Sequence, residues 1–433
     1  YCFKKSTIIL VINCCRLLKN VNPKSYCIAE QAVREAYRRV KSNRGAEGID
    51  QITIKDFEQN LEGNLYKVWN RMSSGSYFPS AVRQVEIPKG KTEVRTLGIP
   101  TVSDRVAQMV TKLYLEPIIE PKFHDDSYGY RPNRSALDAV AMTKQRCWKY
   151  YWVVDIDIKG FFDHLDHDLI MKAVRFHTNI PWIILYIERW LKAPVYTVNE
   201  TIEYRNQGSP QGSVISPLLA NLFMHHAFDD WMQRNFPRIP FERYADDIVV
   251  HCKTEYQCRM ILNQIAKRLA ECNLTLHPTK TKIVQCLRGQ QKRNKQYPIA
   301  FDFLGFTFQP RYSKSRTHKF FTGYQPAVSR KSQKKMRETM RSWKLTSFRT
   351  QWNLNQLAQF MNPYIRGWMN YFGACYKRPL IETLNHINYL LVIWARRKYK
   401  RFANSWRKAR KWLRGISKRD PHLFAMWTVR IKP

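Results

Sequence analysis

The chain has 433 residues, 73 of them Lys or Arg and 34 Asp or Glu, for a formal charge of +39 at pH 7. An excess of that size calls for a polyanionic partner, because each phosphate neutralised releases counterion and drives binding at low salt. A hydrophobic content of 44% excludes a disordered basic tail and supports a substantial core. The ten cysteines are scattered without a Cys-x-x-Cys pair, which argues against a zinc ribbon or a secreted disulfide framework and for a reducing cytoplasm.

Ser6 to Leu18 is apolar, but it is too short to span a bilayer and lacks a small-residue cleavage site, so residues 1–26 read as a leader of uncertain origin and no membrane is expected. Apolar spacing predicts a helix from Ile28 to Val40, stopped at Ser42-Asn43-Arg44-Gly45, and a second from Thr53 to Trp69. Arg83 to Ile99 alternates around Pro88-Lys89-Gly90-Lys91, the pattern of a hairpin with a basic tip. Helices are expected from Ser103 to Leu115 and from Ser135 to Lys149.

Trp152 to Ile158 predicts a strand leading through Gly160 to a helix after Asp166. Val214 to Phe236 predicts one long helix opened by a Pro-Gln-Gly loop, Arg243 to Cys252 a hairpin, and Glu255 to Cys272 a further helix. The resulting β-α-β-β-α order is that of a split βαβ polymerase palm. After Phe308 a basic loop is expected, then helices near Lys331 to Trp343, Leu354 to Phe372 and Pro379 to Phe402.

The hairpin carries Tyr244-Ala245-Asp246-Asp247 between two apolar runs. Adjacent carboxylates repel, so a turn that keeps both beside a dry strand pair needs a cation. Phosphoryl transfer to a 3′ hydroxyl uses two divalent ions, and their carboxylate ligands must converge from separate strands. Val153-Val154-Asp155-Ile156-Asp157-Ile158 offers the second source. Asp155 and Asp157 share a face by the strand period of two, so spacing alone leaves both open, although Asp157 lies nearer the strand end. Asp163, Asp166 and Asp168 read as helix-cap and surface acids. Gly208 to Asn221 supplies a Gly/Pro loop feeding a helix, suited to close backbone approach to a nucleotide. His164-x-x-His167 and His225-His226 form no three-ligand zinc spacing.

From about residue 27 onward the sequence resembles a bacterial group II intron reverse transcriptase, or maturase. The resemblance rests on Arg38 to Asp50, Arg95 to Arg105, Ser127-Tyr128-Gly129-Tyr130-Arg131-Pro132, Asp157-Ile158-Lys159-Gly160-Phe161-Phe162, Pro210-Gln211-Gly212, Tyr244-Ala245-Asp246-Asp247, Leu276 to Lys282 and Phe303-Leu304-Gly305-Phe306, in that order. Phe360 to Phe372 resembles the family's thumb, or X domain.

The resemblance implies an α+β right-hand polymerase with fingers, a split βαβ palm and a helical thumb, followed by a basic helical C-terminal region. The implied domains are an N-terminal extension with fingers over 27–141, palm over 142–310, thumb or X domain over 311–390 and a DNA-binding region over 391–433. Asp157, Asp246 and Asp247 would be the catalytic carboxylates, holding two Mg²⁺ ions with the Ile158 carbonyl as a further ligand. Mn²⁺ is an acceptable substitute at an all-oxygen site.

Lys89 and Arg95 would grip the triphosphate of a dNTP, Gln211 would lie beside its sugar, and Phe162 would close on the sugar's 2′ carbon. Tyr244, Lys280 and Lys282 would meet primer and template. Arg366, Arg396, Arg397, Lys398, Arg407, Lys408, Arg410 and Lys411 would contact nucleic acid, drawn from intron RNA and target DNA. The expected activity is RNA-directed DNA synthesis on the intron RNA, with promotion of splicing, in a nucleoid-associated ribonucleoprotein of the bacterial cytoplasm. Alternatives are a splicing-only RNA chaperone and a domesticated reverse transcriptase in defence. The Cys-paired His-Asn-His nuclease of some relatives is absent from residues 1–433, so the form resembled is one without it, for which a nascent strand at a replication fork is the expected primer.

Overall fold

The computed structural model of the chain describes residues 26–89, 93–287, 292–314 and 320–433. Most of the expected leader, the tip of the first hairpin and the Lys89 side chain lie outside the described residues. Helix α1 (Glu30–Ser42) buries Val33, Ala36, Tyr37 and Val40, a stripe at i, i+3, i+4 and i+7. The single helix expected over Thr53 to Trp69 is two, α2 (Ile54–Gln59) and α3 (Leu61–Ser73), because Asn60 leaves helical geometry at φ −132°, ψ 57°. Thr53 and Asp56 close a capping box at the start of α2.

Strands β1 (Val82–Lys89) and β2 (Glu93–Ile99) pair antiparallel as expected, with Arg83 opposite Ile99. Helix α4 (Val102–Ile119), capped by Thr101, is buried over most of its circumference, and α1 packs along it. Helix α5 (Ala136–Arg146) opens on a Ser135–Asp138 capping box.

Strand β3 (Trp152–Ile156) ends at the candidate acids. The chain then turns through Gly160, left-handed at φ 55°, into α6 (His167–His177), whose first turn Asp166 caps as expected. Helix α7 (Pro181–Leu191) and the short strands β4 (Val195–Tyr196) and β5 (Ile202–Glu203) follow. They were not expected from sequence, and β4 joins β1 to make the order β2-β1-β4-β5. The long helix expected over Val214 to Phe236 is interrupted: α8 (Ser216–Met224) and α9 (Asp230–Asn235) flank a π turn at His225–Asp229.

Strands β6 (Phe241–Tyr244) and β7 (Asp247–Cys252), helix α10 (Glu255–Glu271) and strand β8 (Lys282–Gln285) complete an antiparallel sheet of order β6-β7-β3-β8. The basic loop expected after Phe308 is instead a three-stranded sheet of β9 (Phe301–Phe303), β10 (Phe306–Lys314) and β11 (Phe320–Val328). Phe306 and Phe308 point inward with Phe301 and Tyr324, all fully buried, and the Phe301 and Phe308 rings stack at 4.9 Å. The strand period runs on beneath the basic residues that suggested a loop.

Helices α11 (Arg330–Ser342), α12 (Leu354–Phe372), α13 (Arg378–Lys398) and α14 (Trp406–Arg419) share one core, running from Val328 to Ile431. A second core, from Ile28 to Leu274, is common to the first hairpin's supporting helices and the four-stranded sheet. The architecture is the expected α+β right hand. No helix among the described residues is long and apolar enough to cross a membrane. Leu391 is fully buried in the C-terminal core, whereas Arg410 points to solvent. Leu391→Ala should cost about 2–5 kcal/mol in urea unfolding, and Arg410→Ala should stay within about 0.5 kcal/mol.

Candidate active site

Pairing of β6 with β7 ends at Tyr244 opposite Asp247, leaving Ala245 and Asp246 as a two-residue turn. Ala245 is left-handed at φ 58°, a conformation that glycine usually supplies. Arg243, wholly buried, holds it there. Its Nε and Nη2 donate to the two carboxylate oxygens of Asp229 at 2.7 and 2.5 Å. Its Nη1 donates to the Ala245 carbonyl at 3.1 Å and to Asn221 Oδ1 at 3.0 Å. Asn221 Nδ2 in turn donates to the Gly129 carbonyl at 2.6 Å. Gly129 lies against the turn so closely that a Cβ would stand 2.5 Å from the Ala245 nitrogen.

On the other face of β6, buried Glu242 accepts from Arg146 Nη1 at 2.6 Å and meets His251 Nε2 at 2.6 Å, fixing the strand to α5 and β7. The acidic turn thus stands on two buried ion-pair networks. Gly129 and Asn221 lie in blocks the sequence analysis names, but neither was given this role, and Arg243 and Asp229 were not singled out: a charged residue in a short strand, such as Arg243, ordinarily faces water.

The β3–β7 register ends with Ile156 opposite Ile248, so Asp157 leaves β3 beside Asp247 at the start of β7. The Asp157 carbonyl accepts from the His277 N–H at 2.8 Å and the Thr281 hydroxyl at 3.2 Å. The bridge between Ile158 and Leu276 is closed by the neighbouring Asp157 and Lys159 backbones, leaving the Ile158 carbonyl out of it.

Lys280 Nζ lies 3.9 Å from Asp157 and Lys282 Nζ 3.4 Å from Asp155, so the two lysines expected on primer and template face the acids here. The Asp155 carboxyl is pushed up to about 7 by burial, against the pull of Lys282. Asp247 is pushed up to about 7 as well, first by desolvation against the sheet, then by Asp246, Asp155 and Asp157, with Lys331 opposing. Asp247 stands at the solvent-facing mouth of the cluster, so water screens part of this repulsion. Oxygen-only donors under mutual repulsion have the chemistry a hard divalent cation takes, while among the described residues these side chains do not themselves close into a group of three ligands.

The elements expected around a nucleotide are joined by one side-chain bond and several backbone contacts. Arg95 Nε donates to Gln211 Oε1 at 2.5 Å, and the Gly98 N–H to the Gln211 carbonyl at 2.8 Å. A Cβ on Gly212 would stand 2.6 Å from the Gly98 carbonyl, so the loop needs glycine to seat against β2. The Ser209 N–H donates to the Phe162 carbonyl at 2.8 Å, which joins the same loop to Phe162. Phe161 and Phe162 are both core residues, 3% and 7% exposed. Tyr244 is half-buried, and its ring centroid lies 6.3 Å from that of Tyr130. Tyr130 feels Asp246, Arg95 and Asp247 together, so it stands between the acids and the Arg95–Gln211 pair, a place the sequence analysis did not assign to it although it lies in a block that carries the resemblance.

Among the expected nucleic-acid contacts, Arg366, Arg407, Lys408, Arg410 and Lys411 are exposed. Three others bind backbone carbonyls: Arg396 that of Ala403, Arg397 that of Thr346, and Lys398 those of Thr350 and Gln351. His167 bonds the Gly208 carbonyl and His226 bonds His177, and no metal-binding group of three ligands occurs among the described residues.

The right hand, its acidic turn and its Pro-Gln-Gly loop are those of the polymerase class. Residues 87–308 match the family Reverse transcriptase (RNA-dependent DNA polymerase), and residues 333–412 match the Group II intron, maturase-specific domain. The chain is 36% identical over 193 residues to Group II intron-encoded protein LtrA of Lactococcus lactis subsp. cremoris, covering 44% of this chain and 32% of that protein. It is 31% identical over 288 residues to Protein YkfC of Escherichia coli, covering 58% and 75% respectively. It is 26% identical over 321 residues to the Putative COX1/OXI3 intron 1 protein of Saccharomyces cerevisiae, covering 61% and 38%. The matches thus span about a third of the Lactococcus protein's length, 32%, and three quarters of the Escherichia protein's, 75%. The chain belongs to the reverse transcriptase family, in its group II intron-encoded branch.

Removing Arg243 leaves the Asp229 carboxylate buried and uncompensated. Arg243→Met should therefore cost about 3–5 kcal/mol in urea unfolding, and Arg243→Met with Asp229→Leu should recover most of it. Asp247 carries a pH signature. Its folded pKa of about 7 exceeds the unfolded 3.8, so its contribution favours folding below pH 3.8 and is lost as pH rises toward 7. In EDTA, Asp247→Asn should raise Tm more at pH 8 than at pH 5 by calorimetry, and Mg²⁺ should narrow the gap at pH 8 by stabilising the wild type.

Proposed function

We propose that the chain is an RNA-directed DNA polymerase that copies group II intron RNA into DNA and binds that RNA to promote its splicing and mobility. The observation that carries this reading is the β3–β7 register, which brings Asp157 beside Asp247 at a turn clamped from below by Arg243. Asp157, Asp246 and Asp247, with the Ile158 carbonyl, would hold two Mg²⁺ ions. Bound there, divalent metal activates the primer's 3′ hydroxyl and neutralises charge on the triphosphate and leaving group.

The chain's own residues position the reactants. Arg95, oriented by Gln211, and Lys89 grip the dNTP phosphates. Gln211 borders the sugar, and Phe162, immobilised by its core packing, forms the wall against a 2′ hydroxyl. Lys280 and Lys282 shield the acids before substrate arrives and then face primer or template phosphates. Tyr244 supports the primer end.

Residues 27–141 act as N-terminal extension and fingers, 142–310 as palm, 311–390 as thumb and 391–433 as a DNA-binding region for the target. Splicing needs no chemistry from the protein, because basic and aromatic faces can stabilise a folded ribozyme that supplies its own active site. The setting is a ribonucleoprotein of the bacterial cytoplasm, associated with the nucleoid.

Primer extension on an RNA template with dNTPs and Mg²⁺ tests the reading. The wild type should extend and Asp246→Asn should not, while RNA affinity stays within about twofold and falls steeply with added salt for both. Equal inactivity of wild type and variant, with splicing promoted by both, would sink the polymerase reading.

A further inference from the structure

Between α13 and α14 lies a cavity of about 620 Å³, lined by Tyr389, Ile393, Arg396, Arg397, Ala403 and Trp406. Its volume is that of a small-molecule site, and four of its six lining residues are aromatic or guanidinium rather than aliphatic. The Tyr389 and Trp406 rings form one wall, with centroids 5.1 Å apart and planes inclined at 41°, and Tyr389 is 49% exposed. A large exposed aromatic at that position contributes little to the core of α13, whose inward residues are Leu384, Ile387, Leu391 and Trp394.

The cations of the cavity are already fixed. Arg396 donates through Nε and Nη2 to the Ala403 carbonyl at 3.0 and 2.7 Å, and its guanidinium carbon lies 5.9 Å from the Trp406 ring centre. Arg397 Nη1 donates to the Thr346 carbonyl at 2.7 Å. Two guanidiniums held by backbone carbonyls lose little freedom when a ligand arrives. Directly beyond Trp406, Arg407, Lys408, Arg410 and Lys411 are exposed on α14, forming a cationic track that leads away from the cavity.

A cavity with a π wall and fixed guanidiniums at the end of a phosphate-binding track has the chemistry of a single-strand site. Bases stack on aromatic and guanidinium planes while the backbone follows the positive surface. A base paired in a duplex cannot present its face to such a wall. The lining crosses the boundary drawn above at 391 between thumb and DNA-binding region, but all six residues fall within 333–412, the segment matching the Group II intron, maturase-specific domain, and that match favours RNA over target DNA as the strand. We propose that this cavity receives one unpaired nucleobase of bound RNA, stacked against Tyr389 and Trp406 with Arg396 at its edge. The proposal rests on the reading of the chain as an RNA-binding reverse transcriptase and adds a base-specific anchor outside the polymerase cleft.

The test compares, for the full chain, the affinity of a single-stranded RNA oligonucleotide with that of a strand of equal length carrying abasic residues. Phosphate number is the same in both, so the ratio reports base contacts. Tyr389→Ala should shrink that ratio by about tenfold, whereas Tyr389→Phe, which keeps the ring, should leave it near the wild-type value. Thermal unfolding of both variants checks that the C-terminal core is intact, and primer extension by Tyr389→Ala should persist.

An unchanged ratio in Tyr389→Ala would overturn the proposal. So would equal damage from Tyr389→Phe, or a loss seen only with the corresponding DNA strand. Failure of the wild type in primer extension, with the Tyr389 dependence intact, would instead count against the polymerase reading and leave the base site standing.

Discussion

The acidic turn of this protein depends on a buried cation. Adjacent Asp246 and Asp247 repel each other, Asp155 and Asp157 add to the field, and Ala245 occupies a conformation that favours glycine. Arg243 holds the turn in place from the strand that leads into it: it is paired bidentately with Asp229 and reaches the Ala245 carbonyl with its remaining nitrogen. Burying such a pair is not by itself a route to stability, since desolvation consumes most of the attraction. Its value is positional, because a guanidinium with four of its five N–H donors bonded to buried partners cannot let the turn drift. The π turn at His225–Asp229 belongs to the same device, for it ends on the residue that must face Arg243.

The same logic of rigid support extends to the loops around Gln211 and Phe162. Gly208 and Gly212 lie where backbones meet too closely for any Cβ without displacement, and a Cβ on Gly98 would press on the Val82 and Pro210 side chains. The first hairpin, the Pro-Gln-Gly loop and the Phe162 turn are thereby locked to one another by main-chain hydrogen bonds. Side chains that would touch a nucleotide project from this frame, so their placement does not rest on their own conformational preferences.

What the sequence revealed and what it hid follow from this division. The carboxylates were legible because paired acids between apolar strands are rare and their chemistry is restrictive. The order of helices and strands was legible wherever apolar periodicity was strong, as in α1, α10 and α12. The supporting residues were not. Arg243 and Glu242 occupy neighbouring positions of a four-residue strand and are both buried, so alternation gives no sign of either. Asn60 and the π turn break helices at residues without a strong breaking signal, and the strand of Phe306–Lys314 hides its period under basic residues. Charge density also misled in detail, since Arg396, Arg397 and Lys398 spend donors on backbone carbonyls within the chain.

Those inward bonds bear on how so basic a chain folds. In α11 no acid occupies the first turn, and Arg330 and Lys331 stand at the positive end of the helix dipole, an arrangement costing about 0.3–1 kcal/mol per charge at low salt. Two features offset it. Ser329 caps the helix, accepting from the Ser332 N–H at 3.1 Å, and Lys331 lies in the field of Asp247. Helix α11, at the head of the C-terminal core, is therefore tied electrostatically to the acidic turn, so that the repulsion among the carboxylates and the misfit of Lys331 at a positive helix end each relieve the other.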